Sequence, residues 1–98
     1  MSRFVPGQEV MIPCSVARSG PPGEVVVDME SAHGLVSGFV NAKAVTGDGD
    51  RGLIRGWIVE VSGESVVVQV PGEFLTTASG KAELRADWAD THLQPIRV

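Results

Sequence analysis

Residues that build disulfides, metal centres and aromatic clusters are scarce in this sequence. It contains one cysteine, Cys14, two histidines and no tyrosine. A single cysteine excludes an intrachain disulfide, and its apolar neighbours Ile12 and Val16 favour a small buried side chain over a reactive thiol. His33 and His92 lie far apart without a paired ligand spacing. We therefore expect isolated surface histidines, no bound metal and no other cofactor.

Long apolar runs and clustered positive charges are missing as well. No window approaches the roughly 18 apolar residues of a membrane helix, and the first ten residues lack the apolar core of a signal peptide. These features predict a cytoplasmic protein. Eight basic residues against 12 acidic ones give a net charge of −4, and such a field repels phosphate backbones. The charge therefore argues against nucleic acid as a partner.

The sequence has no complete catalytic motif. Ser37 in "GLVSG" stands one residue late for a nucleophile elbow. "TASGKA" contains the Gly-Lys pair of a phosphate-binding loop, but Leu75 replaces the first glycine and Ala82 replaces the hydroxyl that binds the metal. The segment Asp48 to Gly52 resembles the start of a calcium loop, yet Val59 occupies the position of the bidentate glutamate. We therefore expect a protein that is not an enzyme.

Valine is abundant, and 12 glycines with 6 prolines supply frequent turns. A chain of 98 residues buries roughly two thirds of its unfolded surface, which suffices for one compact domain or two very small ones with a shared core. Alternation of apolar and polar residues predicts strands within 8–17, 25–30, 35–40, 53–62 and 66–70. Pro13 makes the first of them an edge or bulged strand, and "NAKAV" predicts one helical turn capped by Asn41.

Two segments allow more than one interpretation. In "LIRGWIVEVS", residues 53–62, the face of Leu53, Trp57 and Val59 is predicted to be the core, although Arg55 on the same face indicates partial contact with water. In residues 73–93, Ser79 caps a helix in one interpretation. In the other, a strand over 74–78 and a turn at 79–80 precede a strand through Leu84 and one helical turn at "RADWA". An internal repeat favours the second interpretation.

That repeat relates "GEVVVDMESAHG", residues 23–34, to "GESVVVQVPG", residues 63–72. Each copy is followed by a glycine, a short strand and a helical turn, and "TGDGDRG" lies between them as a solvated loop. The boundaries are a first half at 1–46, a connecting loop at 47–52 and a second half at 53–98, or one fused domain at 1–98. True duplication and chance similarity of two hairpins both stay open.

"VPGQEV" followed by "GFVNAKAV" resembles the bacterial Src-homology-3-like small barrel. The likeness is carried in the first half by Gly38, Phe39, Val40, Asn41, Ala42 and Val45, and more loosely in the second by Gly80, Leu84, Ala86, Asp87 and Trp88. "RGWIVEVSGESVVVQV" is similar to the central hairpin of Tudor-type and KOW-type barrels. The resemblance implies an all-β protein with six to eight short antiparallel strands, arranged as two similar halves with single helical turns.

The composition departs from two binding modes of that architecture. The groove that grips proline-rich peptides needs several aromatic rings side by side, and a cage for methylated lysine needs three or four rings around the cation. The chain has two tryptophans, three phenylalanines and no tyrosine. Both modes are therefore disfavoured.

The sequence thus predicts a non-catalytic protein-binding or adaptor module. The candidate binding residues are Trp88, Trp57, Phe74 and Arg55. Trp88, beside acidic residues in a helical turn, either anchors a partner or packs against the barrel end. A homodimer through an unpaired strand edge, such as "LIRGWIVEV", is a further expectation.

Two alternative functions stay open at this point. The first is a KOW-type barrel that contacts nucleic acid through a patch around Arg51, Arg55 and Arg85. The second is an accessory domain or subunit of an enzyme.

Overall fold

The computed structural model describes residues 4–17, 22–47, 49–70, 73–74 and 80–96, which form a nearly closed antiparallel barrel with one α-helix. This architecture confirms the all-β class that the alternation predicts. The elements are β1 (Glu9–Ala17), β2 (Glu24–Ser31), β3 (Gly34–Asn41), a 3₁₀ helix (Ala42–Ala44), β4 (Val45–Thr46), β5 (Arg51–Val61), β6 (Ser65–Gln69), β7 (Glu73–Phe74), β8 (Lys81–Arg85), α1 (Ala86–His92) and β9 (Gln94–Pro95).

The sheet has the strand order β7-β3-β2-β1-β5-β6-β8. Two short strands lie off this path, because β4 pairs with β5 and β9 pairs with β1. A backbone hydrogen bond joins the turn between β2 and β3 to the end strand β8: the Ala32 N–H donates to the Glu83 carbonyl over 2.8 Å. We call this contact the barrel seam.

The antiparallel pair of β1 and β5 forms the centre of the sheet, where Ile12 stands opposite Ile54. Both isoleucines are fully buried. One face of every long strand points to the same core, whose largest fully buried side chains are Ile12, Met29, Ile54, Ile58, Leu84 and Leu93. Strands from both proposed halves therefore contribute to one sheet and one core. Strand β5 begins at Arg51, so the last two residues of the predicted 47–52 loop already belong to a strand.

Pro13 lies in a central strand whose pairing with β5 continues through it without a bulge, so the prediction of an edge or bulged strand is wrong. The N–H of Val16 donates to the Asp50 carbonyl, and the N–H of Ile58 donates to the Gln8 carbonyl. Even-numbered residues of β1 therefore direct their backbone groups towards β5, and Pro13 directs its nitrogen away from it. On that second side, β2 pairs with residues 15–17 and β9 with residues 10–11. The missing N–H thus falls in a gap between two partner strands.

The prediction for β5 placed the wrong face in the core. Ile54, Gly56 and Ile58 are buried, whereas Trp57 is 44 % exposed. Both faces of this segment are largely apolar. The Trp57 face has more bulky residues, so the sequence pattern alone favours it as the core face. The charge of Arg55 was the correct signal, because an arginine is rarely buried without a partner.

Strand β5 is also not an unpaired edge. It pairs with β1 on one side and with β4 and β6 on the other. The prediction that "LIRGWIVEV" is an unpaired edge is therefore wrong, since most of the backbone groups of that strand already have partners within the barrel. Dimerisation through another strand edge stays a prediction.

The region after residue 80 follows the second interpretation of the sequence. Strand β8 is followed directly by α1, which is longer than the single predicted turn. Of the predicted strand over 74–78, Phe74 lies in β7 and residues 75–78 lie outside the described residues. The predicted cap at Asn41 is confirmed, because its Oδ1 accepts a hydrogen bond from the Lys43 N–H over 2.9 Å.

Candidate functional site

The structure brings together two of the four candidate binding residues. Arg55 and Trp57 are neighbours on the outer face of β5. Trp88 lies on α1, and Phe74 lies in β7, where its backbone pairs with Gly38 of β3. Trp57 and Arg55 therefore form one site, and Trp88 belongs to another.

A shallow groove of about 370 Å³ borders Trp57 and is called the Trp57 groove below. Three separate segments contribute to it: β1, the 3₁₀ helix with β4, and β5. Within the described ranges, the groove lies beside the stretch of β5 between its two partner strands, because β4 pairs with residues 53–54 and β6 pairs from residue 57 onwards. The lining residues are Met11, Lys43, Ala44, Thr46, Arg55 and Trp57.

The rim of the Trp57 groove is positively charged. The Arg55 Nε lies 3.3 Å from a Glu9 carboxylate oxygen, and both side chains are largely exposed. Such a pair contributes little to stability. Within the described part of the chain, neither the terminal amino groups of Arg55 nor the Lys43 ammonium makes an ion pair. These nitrogen atoms remain available to an anionic group.

Trp88 occupies a different environment on α1. Its ring stacks on His92 with 4.6 Å between centroids and 7° between planes. The His92 Nδ1 lies 2.9 Å from the Trp88 carbonyl, which fixes the imidazole over the indole. Trp88 is half-buried and packs against the core. It therefore covers part of the barrel wall with one face of its ring.

A second shallow groove, of about 240 Å³, lies where Trp88 meets β1 and the β2–β3 hairpin, and is called the Trp88 groove below. Leu35 lines this groove and is 67 % exposed. Asp28 also lines it, and its carboxylate accepts a hydrogen bond from the Ser37 hydroxyl. The lining residues are Pro13, Cys14, Ser15, Asp28, Met29, Glu30, Leu35, Arg51, Trp88 and His92.

Cys14 lies in the Trp88 groove as a half-buried thiol. Burial, and to a smaller extent the charge of Asp28, raises its pKa to about 11. Its Sγ lies 3.5 Å from the Gly52 carbonyl oxygen. The thiol is therefore protonated at neutral pH, whereas a cysteine nucleophile or metal ligand must be a thiolate. Residues 4–17, 22–47, 49–70, 73–74 and 80–96 contain no cluster of three histidine, cysteine or acidic side chains suited to hold a metal ion.

A hydrogen-bonded cluster at the barrel seam was not predicted from the sequence. The His33 Nε2 lies 2.5 Å from one Glu83 carboxylate oxygen, and the Ser65 hydroxyl donates to the other over 3.0 Å. These bonds, that of His33 first, lower the pKa of Glu83. Serine and histidine both contact the carboxylate instead of each other, so the cluster lacks the hydroxyl–imidazole bond of a catalytic triad. His33 and Glu83 are 50 residues apart, and only barrel closure reveals the pair.

The basic patch proposed for nucleic acid is divided in the structure. Arg85 lies 3.1 Å from Asp87 and lines a groove with Trp88 and Glu30. Arg55 lines the Trp57 groove, which does not include Arg85.

No protein-family model, no curated protein and no solved structure matches this chain. The helices among the described residues are all too short to cross a membrane. The Trp57 groove and the Trp88 groove are therefore the basis for the proposed function.

Proposed function

We propose that this chain is a non-catalytic protein-binding module whose contact surface is the Trp57 groove. The observation that carries this proposal is the exposure of Trp57, at 44 % of its surface. Tryptophan is strongly buried on average in folded proteins, and it is the residue type most enriched at the energetic centres of protein interfaces. Met11 and Ala44 supply apolar surface beside the indole, and Arg55, a second residue type enriched in interfaces, stands next to it.

Charge favours a protein partner over nucleic acid. Arg51 and Arg55 share the outer face of β5 with Trp57, a combination that can hold a phosphate and a stacked base. Glu9, however, lies within 3.3 Å of Arg55, and the whole chain carries a net charge of −4. A nucleic-acid backbone carries a phosphate at every nucleotide and meets this negative field along its length, whereas a short protein segment contacts only the local cations of the groove. The same groove also serves the proposal of an accessory domain, in which the partner is an enzyme.

The division into two similar halves and the Src-homology-3-like resemblance are part of this proposal. Both segments contain a long strand, two further antiparallel strands, a helical segment and a two-residue strand in the same order, and the second segment has β7 in addition. The two-residue strand of each segment pairs with the long strand of the other. This reciprocal pairing supports an arrangement in which two related units exchange their last strands. Cys14, as a single unpaired cysteine, supports the proposed cytoplasmic location.

A comparison of two surface variants tests the proposed function. The purified wild-type chain, Trp57→Ala and Val5→Ala are immobilised and incubated with the same extract, and retained proteins are identified and purified. Val5 is 60 % exposed and lies outside the groove, so it is the matched apolar control. We expect at least one protein that binds the wild type and Val5→Ala directly, and binds Trp57→Ala more than about tenfold less. An identical set for all three baits contradicts the proposal.

A further inference from the structure

The central β1–β5 ladder has a gap on each of its two outer sides. On the side of β1 that faces away from β5, residues 12–14 lie between the partners β2 and β9. On the side of β5 that faces away from β1, Arg55 and Gly56 lie between β4 and β6. In each case a helical segment leads into the two-residue strand beside the gap. The two gaps are therefore equivalent positions of one architecture.

The chain covers the first gap with its own helix. Trp88 and His92 of α1 line a groove together with Pro13, Cys14 and Ser15. Trp88 is held there by its stack on His92 and by packing against the core. Two acidic residues, Asp87 and Asp90, flank the tryptophan in the sequence "ADWAD". The intramolecular occupant at this position is thus one large aromatic residue on a helical segment, and the acidic residues beside it lie outside the groove lining, with Asp87 paired to Arg85.

The second gap has no comparable cover in the described residues. The helical segment before β4 has only three residues, Ala42–Ala44, and none of them is large and apolar. Lys43 and Ala44 reach the groove, and Trp57 remains 44 % exposed. The lining also differs in charge: the Trp57 groove has Lys43 and Arg55 and no carboxylate, whereas the Trp88 groove has two carboxylates and one arginine.

We infer that the Trp57 groove binds an acidic segment of a partner protein that presents one large apolar side chain, and that this segment is the intermolecular counterpart of the chain's own "ADWAD". The inference rests on the proposed function. Carboxylates of the segment pair with the terminal amino groups of Arg55 and with Lys43, where charge-assisted hydrogen bonds are strongest. Its apolar side chain packs on the indole of Trp57 and on Met11.

Fluorescence anisotropy with synthetic peptides tests the inference directly. The probe is a labelled peptide of sequence GADWADTG, and two matched peptides replace both aspartates by asparagine or the tryptophan by alanine. A labelled oligothymidylate and a labelled copy of the full chain complete the set. We expect the acidic tryptophan peptide to bind, and each matched peptide to bind about five- to tenfold more weakly. Equal binding of the asparagine peptide, or stronger binding of the oligothymidylate or of the second copy, overturns the inference.

Peptide binding by variants of the chain tests whether the Trp57 groove is the binding site and whether its charged residues determine the affinity. Arg55→Gln should weaken binding about five- to tenfold and reduce the preference for aspartate over asparagine, with Lys43 accounting for the remainder. Glu9→Gln should strengthen binding, because it removes the carboxylate that competes for Arg55. Leu35→Ala, in the Trp88 groove, is the control and should bind like the wild type. Unchanged binding by Arg55→Gln and Glu9→Gln overturns the inference.

The outcomes also separate this inference from the proposed function. If no peptide binds while a partner is still lost with Trp57→Ala, the groove binds protein of other chemistry, and the inference alone is wrong. If neither result depends on Trp57, both proposals are wrong. Arg55, Glu9 and Leu35 are all exposed, so matching thermal unfolding curves for the variants exclude loss of fold as the cause.

Discussion

Each outer side of the β1–β5 ladder has a gap between two partner strands, and the two sides differ in the helical segment beside the gap. Beside β1, the seven-residue helix α1 brings Trp88 and His92 against the barrel wall. Beside β5, a three-residue 3₁₀ helix leaves Trp57 exposed, with arginine and lysine on the rim. The difference teaches that a longer helical segment lets the chain cover one gap with its own tryptophan, whereas a shorter one leaves the strand tryptophan beside the other gap exposed. Trp88 packs against the core and covers the barrel wall, whereas Trp57 leaves apolar surface exposed to solvent.

The ladder between the two sides should be the most sensitive part of the molecule. Ile54→Ala removes a fully buried side chain opposite Ile12 and should lower the free energy of unfolding by about 3 kcal/mol. Leu53→Ala, next to it on the half-buried outer face, should cost about 1 kcal/mol. Urea unfolding measures both values. A larger loss for Leu53→Ala than for Ile54→Ala would restore the opposite assignment of the β5 faces.

The second prediction concerns the two tryptophans themselves. Trp88→Ala should destabilise the fold by about 2 kcal/mol, because the half-buried ring packs against the core and stacks on His92. Trp57→Ala should cost about 1 kcal/mol or less, since much of its ring is already in water. The same urea titrations provide the measurement. Equal losses for both variants would remove the structural distinction between the two sides.

Cys14 gives a chemical test of the cover on the first side. Its raised pKa, about 11, leaves little thiolate at pH 8, so a disulfide reagent should modify the folded wild type slowly. Trp88→Ala uncovers the groove that Cys14 lines and should increase the rate several-fold. Trp57→Ala, on the other side of the ladder, should leave the rate unchanged. Equal acceleration in both variants would mean that the thiol reacts through general loosening of the barrel.

The smallest effect is expected at the barrel seam, where Glu83 of β8 meets the turn between β2 and β3. The pKa of Glu83 is lowered from its ordinary value of 4.5, chiefly by the hydrogen bond with His33. A carboxylate with a lowered pKa stabilises the fold above the ordinary pKa, and the contribution disappears as pH falls through the lowered value. Wild type should therefore unfold at higher urea than Glu83→Gln at pH 6, and the difference should shrink below pH 4.5. A difference that does not change with pH would contradict this origin.

Much of the fold was predictable because strand periodicity is a local property. The valine runs of β2 and β6 and the Asn41 cap depend on neighbours in sequence. The buried face of β5 was not predictable, because both of its faces are apolar. Which face is buried depends on how the barrel closes around the core. The position of Pro13 was missed for a related reason: a central strand tolerates proline when its two partners on one side leave a gap.

The candidate site was predicted only in part. Arg55 and Trp57 lie two residues apart on one strand, so alternation alone places them on the same face. Lys43 and Met11 come from segments far away in sequence, and only the pairing of β4 and β1 with β5 brings them to the groove. The contrast between Trp57 and Trp88 likewise depends on the length of the helix before each two-residue strand.

The two tryptophans allow one direct measurement of the central claim that the Trp57 side is open to a partner and the Trp88 side is covered by α1. Each indole gives its own resonance in a nitrogen–proton correlation spectrum, and Trp57→Phe assigns the two peaks. On addition of the acidic tryptophan peptide, we predict a shift of the Trp57 indole that saturates, while the Trp88 indole stays in place. A shift of the Trp88 indole alone, or of neither, would contradict the claim.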